Sequence, residues 1–287
     1  MSDRYQIVRL ANGEYSVRSN EHHETFHPVI GPAAEAQALY VGQLKLPERI
    51  AHANGPFVIW DIGLGAAANP LTLLNAVRDL HCQIQIVSFD CTSEPLRFAL
   101  EHPEKLPFLT GFIPRMRELI EMKAVKFQLG GGPEVNWEFH LGDFPTLLTE
   151  TFPAGIAKPH AIFYDAFSPK KNPGMWTLPV FAKLHSLLDP GRECSLATYS
   201  RSTLLRVTLL LAGFYVGAGH ATGEKEETTI ATNRLETLSE PLGAEWLDRA
   251  RRSTSAEPLQ IAEYQQKPLS NESWEMLAKH PQFRGRL

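Results

Sequence analysis

The sequence predicts an α/β protein whose mostly parallel β-sheet is covered by helices on both faces. Three observations lead to this fold class. Continuous apolar strands, the first being "FVIWDIG", alternate with helical segments from about residue 56. Glycines or acidic residues follow these strands, and an antiparallel strand pair closes the pattern near residue 230. Strands that are apolar on both faces are typical of parallel sheets buried between helices.

Composition and charge restrict the class of protein. The chain has 287 residues, of which 43% are hydrophobic and 21% are charged, as in ordinary globular proteins. The formal net charge of −4 means that any surface for nucleic acid must be local. Three cysteines without metal-ligand spacing favour a reducing compartment. The amino-terminal segment has no apolar core, so we expect a cytoplasmic protein with no membrane span.

Residues 1–55 are predicted to form a leading segment made of a hairpin and a helix. "YQIVRL" and "EYSVRS" are strand-like and flank the turn "ANG". Apolar side chains then follow helical spacing from Ala34 to Leu44, and Pro32 suits the first turn of that helix.

Residues 56–235 are predicted to form the main domain, and residues 236–287 a helical tail. Strands are predicted at "FVIWDIG", "IQIVSFD", "WEFHLGD", "HAIFYDAF" and "ECSLATYS". Helices are predicted after them at "NPLTLLNAVRDL", "EPLRFALEH", "FPTLLTE", "WTLPVFAKLHSLL" and "TLLRVTLLLAGF". "FYVGAGHAT" and "TTIAT", on either side of "GEKEE", are predicted to pair as the closing antiparallel hairpin. The tail contains two predicted helices, "GAEWLDRARRS" and "NESWEMLAKH", with a packing role.

A glycine-rich loop, "DIGLGAAANP", follows the first strand of the main domain. Gly63 and Gly65 allow a sharp turn and a close approach to a ligand, and the helix behind them offers free N–H groups. A purely structural turn would also explain two glycines. The spacing lacks the third glycine of a dinucleotide site, and Asp61 leads the loop, as in binders of S-adenosyl-L-methionine of the Rossmann-like class. Asn69, in the same segment, is included among the predicted cofactor contacts.

Two more carboxylates end successive strands. Asp90 lies 25 positions after Gly65, where a carboxylate can accept hydrogen bonds from both ribose hydroxyls of a nucleoside. Asp143 ends the next strand, where such enzymes commonly contact the adenine amino group, and Phe144 could lie against the ring. Either carboxylate could instead cap the following helix. Three acidic residues at successive strand ends together favour a cofactor site, since ligands of open α/β sheets bind at that edge.

A fourth carboxylate, Asp165, begins the most specific motif of the chain. "DAFSPKKNPGMW" resembles the D-[AG]-F-[SA]-P-x-K-N-P-x-[LM]-W signature of the MnmC-type tRNA wobble-uridine methyltransferases. "ETFHPVIGPAAEAQALYV", "LLDPGRECSLATYS" and "LRVTLLLAGFYV" with "GEKEETTIAT" are similar to other segments of that family, so the likeness spans roughly residues 24 to 232. Two segments depart from the family: "GLGAAAN" replaces a loop closer to G-F-G-T-G-L-N, and "GEKEE" replaces a more basic loop.

The resemblance implies a Rossmann-like, class I S-adenosyl-L-methionine-dependent methyltransferase acting on tRNA. The family converts the aminomethyl group of wobble 5-aminomethyl-(2-thio)uridine to methylaminomethyl, either fused to a flavin oxidase or alone. This sequence has no flavin-binding G-x-G-x-x-G motif, so a separate enzyme is expected to supply the aminomethyl group. S-adenosyl-L-methionine is the implied cofactor, and the anticodon of tRNA is the implied partner.

The signature also implies roles for individual residues. Asp165 is the predicted catalytic residue, next to the cofactor, where it would orient the amine and stabilise the positive charge that grows on nitrogen. Phe167 and Trp176 are predicted to stack on a splayed-out uracil. Pro169 would stiffen the loop. The predicted substrate contacts also include two lysines that could meet flanking phosphates, Lys170 and Lys171.

Two other functions fit the same residues. The chain could be a methyltransferase for a small amine or another RNA, or a protein that binds the cofactor or tRNA without turnover. His22, His23 and His27 form a cluster but lack the spacing and partners of a metal site, so no metal is predicted.

Overall fold

The computed structural model describes residues 4–150, 152–222 and 226–284. Residues 223–225 of the "GEKEE" loop therefore lie outside the described part of the chain. The described residues form two sheets, one of three strands near the amino terminus and one of eight strands.

The amino-terminal segment forms a small antiparallel sheet followed by helices. The sheet contains β1 (Tyr5–Arg9), β2 (Tyr15–Ser19) and β3 (Glu24–Thr25). The first two strands confirm the predicted hairpin. Helix α1 (Pro32–Ala36) continues into a π-helical segment, Gln37–Gly42, and is followed by α2 (Leu46–Ala51). The predicted helix is therefore confirmed.

The main part of the chain alternates strands with helices, as predicted. Its elements are β4 (Phe57–Ile62), α3 (Ala68–Ala76), β5 (Gln83–Asp90), α4 (Glu94–Ala99), α5 (Ile113–Met122), β6 (Ala124–Gln128), β7 (Glu134–Leu141), α6 (Phe144–Thr149), β8 (Ala161–Tyr164), α7 (Leu178–Ser186), β9 (Ser195–Thr198), α8 (Thr203–Leu211), β10 (Tyr215–Gly219), β11 (Thr228–Thr232), α9 (Ala244–Arg252) and α10 (Asn271–Ala278).

The eight-stranded sheet has the order β10-β11-β9-β8-β4-β5-β7-β6. The five central strands, from β9 to β7, pair in parallel. The outer strands β6, β11 and β10 pair antiparallel to their neighbours. The predicted mostly parallel sheet with a closing antiparallel hairpin is confirmed. Because the central strands are parallel, their carboxyl ends meet at one edge of the sheet.

The sequence analysis did not predict α5 and β6. Strand β6 alternates two buried side chains, Val125 and Phe127, with more exposed neighbours, as expected of an edge strand. It pairs with β7 so that Val125 lies opposite Trp137. This short alternation has a weaker apolar signal than a fully buried parallel strand.

Apolar layers cover both faces of the eight-stranded sheet. One layer holds side chains of the π-helical segment, α3, α4 and α5, and the other holds those of α6 to α10. Every residue of β4 is buried, which explains its continuous apolar sequence. Among the described residues, no helix has the length and apolarity needed to cross a membrane.

The carboxyl-terminal segment packs onto the second apolar layer. Leu247, Leu277 and Phe283 are fully buried there. The Gln282 side chain accepts a hydrogen bond from the Val216 N–H at 2.8 Å and donates to the Val216 carbonyl at 2.7 Å. Gln282 thus satisfies backbone groups on β10. The domain boundaries at residues 55 and 235 stay predictions, and both flanking segments contribute side chains to the shared core.

Candidate functional site

A cavity of about 680 Å³ opens at the carboxyl edge of the parallel strands. Its size lies within the range of small-molecule sites, roughly 300–1,000 Å³. The loops after β4, β5, β7, β8 and β9 form its floor, and the amino-terminal segment forms the opposite wall. Of the predicted site residues, seven line it: Gly63, Gly65, Asn69, Asp90, Asp143, Asp165 and Phe167. Asp61, Pro169, Lys170, Lys171 and Trp176 are not among the residues that line it.

The glycine loop brings the ends of β4 and β8 into contact. Gly63 has φ +99°, and a Cβ there would lie 2.5 Å from the backbone oxygen of Asp165. A side chain at this position would therefore displace one of the two loops. The Gly65 N–H donates to Asp90 Oδ2 at 2.9 Å, which joins the same loop to the end of β5.

Ala67 occupies the position of the third glycine in the family's loop. Its φ is 64° and its ψ is 19°, so the backbone is left-handed although the residue is not glycine. Helix α3 begins at the next residue. Ala67 thus adopts the left-handed conformation that glycine takes at no steric cost.

Asp61 lies beneath the glycine loop. Its side chain is fully buried, and the Ser88 hydroxyl donates to its Oδ2 at 2.8 Å. The Trp137 indole N–H donates to the same Ser88 oxygen at 2.9 Å. Asp61 Oδ1 has no hydrogen-bond partner within the described part of the chain. Burial raises the pKa of this carboxyl well above its ordinary value, and the Ser88 hydrogen bond opposes the rise.

Asp90 and Asp143 differ in whether they cap the following helix, which the sequence left open. Asp90 accepts from the Thr92 N–H at 3.1 Å as well as from Gly65. Burial raises the pKa of the Asp90 carboxyl, and these backbone hydrogen bonds lower it. Asp143 caps α6, since its Oδ2 accepts from the Thr146 N–H at 3.1 Å and from the Thr146 hydroxyl at 2.6 Å. Both carboxylates nevertheless line the cavity.

Asp165 is held from two sides at the end of β8. The Asn69 amide donates to Asp165 Oδ2 at 2.8 Å. His27 Nε2 lies 3.7 Å from the same oxygen, and His27 Nδ1 lies 3.9 Å from Glu35 Oε2. The side chains of Asp165, His27 and Glu35 are 18%, 10% and 7% exposed. Three titratable groups therefore share a small, largely enclosed volume.

Sequence reasoning missed His27 and Glu35 as site residues. His27 had been grouped with two neighbouring histidines and judged only as a metal ligand. In the described residues no cluster of three potential metal ligands is found. The signal for both residues was their place in "ETFHPVIGPAAEAQALYV", the amino-terminal segment that resembles the family.

Two tyrosines, Tyr40 and Tyr199, lie near enough to Asp165 to feel its charge. Burial raises the pKa of Tyr40 and of Tyr199 well above the ordinary value, and the charge of Asp165 adds to the rise in both. The Tyr199 hydroxyl donates to the Ala166 carbonyl at 2.9 Å. Both phenols therefore stay neutral, and neither supplies a proton acceptor near Asp165.

The signature loop after β8 is anchored by hydrogen bonds to its own backbone and to the amino-terminal sheet. The Trp176 indole N–H donates to the Phe167 carbonyl at 2.8 Å, and the Tyr164 hydroxyl donates to the Met175 carbonyl. The Glu24 carboxylate accepts hydrogen bonds from both the N–H and the hydroxyl of Ser168. The loop is therefore shaped before any ligand binds.

Trp176 is a correction to the sequence analysis. It was predicted to stack on a base, but its side chain is fully buried in the second apolar layer, edge-on to Tyr164. A ring with no exposed face cannot stack on a substrate. The Trp176 side chain can be buried in the apolar layer behind the loop because its indole N–H donates to a backbone carbonyl there.

Phe167 lines the cavity, and part of its ring contacts other aromatic side chains. The His22 ring stacks on it with centroids 4.1 Å apart, and Phe26 lies at 5.6 Å. Pro169 is half-buried, whereas Lys170 and Lys171 are exposed on the outer side of the loop. The two lysines thus belong to the surface around the cavity.

The residues of this edge fit a nucleoside cofactor. Gly63 and Gly65 both line the cavity, and Gly63 lets the loop after β8 pack directly against the glycine loop. Asp90 provides carboxylate oxygens at the end of the neighbouring strand, and Asp143 with Phe144 provides an acceptor beside an aromatic ring. Residues 113–234 match a family model described as S-adenosyl-L-methionine-dependent methyltransferase.

Residues 113–234 are therefore similar to S-adenosyl-L-methionine-dependent methyltransferases. The family model also confirms the cofactor predicted from the sequence. The enzyme class, a methyltransferase, is confirmed with it.

Curated relatives of this methyltransferase include bifunctional proteins. The chain is 30% identical over 213 residues to the "tRNA 5-methylaminomethyl-2-thiouridine biosynthesis bifunctional protein MnmC" of Methylibium petroleiphilum, covering 72% of this chain and 31% of that protein. It is 28% identical over 227 residues to the protein of the same name from Aeromonas hydrophila, covering 75% and 33%. The chain thus spans about a third of the length of these relatives. The resemblance to MnmC-type proteins is confirmed.

Solved structures share the fold of this methyltransferase. MnmC2 from Aquifex aeolicus superposes with a TM-score of 0.67 at 22% identity, covering 96% of this chain and 83% of that one. Spermidine synthase from Thermotoga maritima superposes with a TM-score of 0.50 at 10% identity, covering 97% and 86%. At these identities the likeness shows the fold, which agrees with the Rossmann-like class predicted from the sequence.

Proposed function

We propose that this methyltransferase converts the aminomethyl group of wobble 5-aminomethyl-(2-thio)uridine in tRNA to methylaminomethyl. The observation that carries the proposal is the position of Asp165. Its backbone oxygen lies against Gly63 of the glycine loop, its carboxylate accepts a hydrogen bond from Asn69, and the residue lines the same cavity as Asp90. The substrate is proposed from the names of the MnmC relatives, which describe tRNA 5-methylaminomethyl-2-thiouridine biosynthesis.

Five cavity residues are proposed to hold the cofactor: Gly63, Gly65, Asn69, Asp90 and Asp143. Asp61 would support the loop from below, because it does not line the cavity. Bound S-adenosyl-L-methionine would supply an electrophilic methyl group. Asp165 lies within hydrogen-bond distance of Asn69, so a group bound beside the glycine loop would also lie beside this carboxylate.

Asp165 is proposed to act on the amine. Only a neutral amine has a lone pair to attack with, so the protein must orient the nitrogen and accept the positive charge that develops there. A carboxylate held by Asn69 can accept an N–H hydrogen bond and stabilise that charge. Holding reactants in line can recover on the order of 7–11 kcal/mol of a barrier. The rigid anchoring of the signature loop suits this task.

The surface around the cavity is proposed to receive the RNA. Phe167 would contact the uracil with the part of its ring that faces the cavity, while Pro169 restricts the loop. Lys170 and Lys171 would meet phosphates that flank the base. These exposed cations offer a local basic surface on a protein whose net charge is −4. Trp176 is no longer included.

Two further statements depend on this proposal. Since the proposed substrate is tRNA, we propose that the reaction takes place in the cytoplasm. We also propose that a separate enzyme supplies the aminomethyl group, because the proposed methylation requires that group to be present on the uracil already.

The direct test is transfer of label to tRNA. The purified protein is incubated with methyl-labelled S-adenosyl-L-methionine and bulk tRNA from cells that lack this modification, and the RNA is digested to nucleosides. We expect label in methylaminomethyluridine and none after ribonuclease treatment of the substrate. Binding of the cofactor without labelled nucleoside would contradict the proposed substrate, and transfer to small amines that persists after ribonuclease treatment would replace it.

The substitution Asp165→Asn tests the catalytic role. It keeps the size of the side chain but removes the negative charge, so we expect methyl transfer to fall about 10²–10³-fold. The affinity for S-adenosyl-L-methionine, measured by calorimetry, should change by only a few-fold. Asp79→Asn, at an exposed position, is the matched control and should retain full activity. Full activity in Asp165→Asn would rule out the proposed role.

A further inference from the structure

His27 connects two carboxylates at the wall of the cavity. Its Nε2 is 3.7 Å from Asp165 Oδ2 and its Nδ1 is 3.9 Å from Glu35 Oε2. These distances are longer than hydrogen bonds but short enough for direct electrostatic attraction. Catalytic hydrogen bonds are often long before substrate binds. His27 also has a left-handed backbone, with φ 48°, which only the fold of the amino-terminal segment imposes.

The neighbours of His27 are mainly acidic. Asp165 and Glu35 both interact electrostatically with Tyr40 of the π-helical segment and with Tyr199 after β9, and Asp165 also interacts with Asp61 of β4. Glu24 of β3 interacts with Tyr199. Two cations, Arg4 and Arg18, line the same cavity. Burial keeps both tyrosines neutral. The imidazole of His27 is the nitrogen base that lies between the Asp165 and Glu35 carboxylates.

Asp165 by itself is a poor acceptor for the proton of an alkylammonium. A free carboxyl titrates near pH 4 and an imidazole near about 6.5, so the imidazole is the stronger base by roughly two to three pKa units. An aminomethyl group is mostly protonated near neutral pH and has to lose a proton before it can react. The cavity therefore needs a base beyond the carboxylate that touches the amine.

We propose that His27 receives this proton through Asp165, oriented by Glu35, and so prepares the neutral amine. The inference rests on the proposed function, because it takes an amine as the substrate. It assigns to His27 a role that acts through Asp165, and to Glu35 the orientation of the imidazole.

The proton moves from the ammonium to His27 in two transfers. The N–H bond of the ammonium breaks and its electron pair stays on nitrogen as the lone pair. The proton passes by way of Asp165 Oδ2 to His27 Nε2, so that Asp165 ends as a carboxylate and His27 as an imidazolium. His27 then returns the proton to solvent, which restores the starting state.

The substitution His27→Asn tests the role with a pH profile. Asparagine tolerates left-handed backbone better than most residues, so the turn should persist. We expect methyl transfer to fall about 10²-fold at pH 7. The loss should shrink as the pH rises, because more amine is then neutral in solution. A profile with the wild-type shape, or a loss of the same size at every pH, would overturn the inference.

His23→Asn is the matched control for the loss of a histidine from left-handed backbone. His23 has φ 56° and an exposed side chain in the same segment. In His23→Asn, methyl transfer should depend on pH in the same way as in the wild-type protein. Cofactor affinity measured by calorimetry should be the same, within a few-fold, in wild type and both variants.

A second measurement does not depend on methyl transfer. The imidazole nitrogen signals of the ¹⁵N-histidine-labelled protein are followed by NMR from pH 5 to 9, and His27 is assigned by its loss in His27→Asn. We expect this signal to titrate in that range and its midpoint to move to lower pH in Glu35→Gln, which removes a charge that favours the imidazolium. A signal that keeps one protonation state throughout would overturn the inference. A wild-type protein that labels no tRNA would overturn only the proposed function.

Discussion

Gly63 shows how one residue sets the geometry of the candidate site. Its φ of +99° disfavours any L side chain, and the space that a Cβ would need is occupied by the backbone oxygen of Asp165. The glycine was expected from the sequence to approach a ligand. In the structure it approaches the loop that carries the proposed catalytic carboxylate, so it couples the two halves of the site.

We therefore expect Gly63→Ala to damage the site more than its backbone strain alone would. Left-handed strain costs about 1–3 kcal/mol of stability, and the clash with Asp165 adds a displacement of the loop. The affinity for S-adenosyl-L-methionine should fall at least about tenfold, a factor worth 1.4 kcal/mol, when measured by calorimetry. Urea unfolding would report the loss of stability.

Gly55→Ala is the matched control for Gly63→Ala. Gly55 has φ +103°, and a Cβ there would meet nothing within 4 Å. The control should lose stability through strain alone and keep its cofactor affinity. Equal losses of affinity in both variants would show that the contact between Gly63 and Asp165 does not matter.

Asn69 illustrates what residue-level patterns leave open. Its place after the glycine loop predicted a cofactor contact, but its amide nitrogen donates to Asp165 Oδ2, 96 positions away in sequence. The side-chain oxygen of Asn69, Oδ1, is buried and has no hydrogen-bond partner within the described residues. A motif places such a side chain at the right edge of the sheet, whereas its partner depends on which other loop arrives there.

At the scale of elements, the amino-terminal sheet and the signature loop are joined. Glu24, at the start of β3, accepts both hydrogen bonds offered by Ser168, 144 positions away. The His22 ring stacks on Phe167 beside this contact. The small sheet thus holds the loop that carries Asp165, in addition to forming a wall of the cavity.

A double-mutant cycle on Glu24→Ala and Ser168→Ala tests this connection. Removing Glu24 leaves two donors of Ser168 without their acceptor, so we expect a loss of about 1–3 kcal/mol of stability. The coupling energy of the pair, from urea unfolding, should lie near 0.5–3 kcal/mol. Glu14→Ala, on the exposed turn of the same sheet, is the control and should change stability by less than about 0.5 kcal/mol. Strictly additive single effects would show that the contact is not a coupling.

Elements differed in how well the sequence predicted them. The central strands and their helices followed from long apolar runs, because a buried parallel strand has no polar face. Helix α5 and strand β6 were missed, since a short edge strand alternates Val125 and Phe127 with exposed residues and so has a weak apolar signal. Because β6 lies at the edge of the sheet, missing this strand in the sequence analysis did not change the predicted site.

At the scale of the whole molecule, the carboxyl-terminal segment completes the core. Phe283 is fully buried, next to Trp246 and His280. Gln282 satisfies the backbone of β10. The helical tail predicted from the sequence therefore helps to cover the second face of the sheet.

Phe283→Ala should destabilise the protein by about 3–5 kcal/mol, because it leaves a large cavity in a buried layer. Urea unfolding followed by circular dichroism measures the loss. Ile261→Ala removes an apolar side chain that is 62% exposed in the same segment, so it should cost less than about 0.5 kcal/mol. Similar losses in both variants would mean that the segment does not form part of the cooperative core.

The fold class, the glycine loop, the carboxylates at three strand ends and the signature that begins at Asp165 were all predictable without a structure. These features depend on periodicity and on the rule that ligands bind at the carboxyl edge of parallel strands, both of which are local or follow from chain order. Which side chains face the cavity depends instead on how the chain folds in three dimensions. Trp176 and Asp61 are buried beneath it, while His27 and Glu35 reach it. The reason is that the docking of the amino-terminal segment onto the large sheet brings distant residues together, and no local pattern encodes that contact.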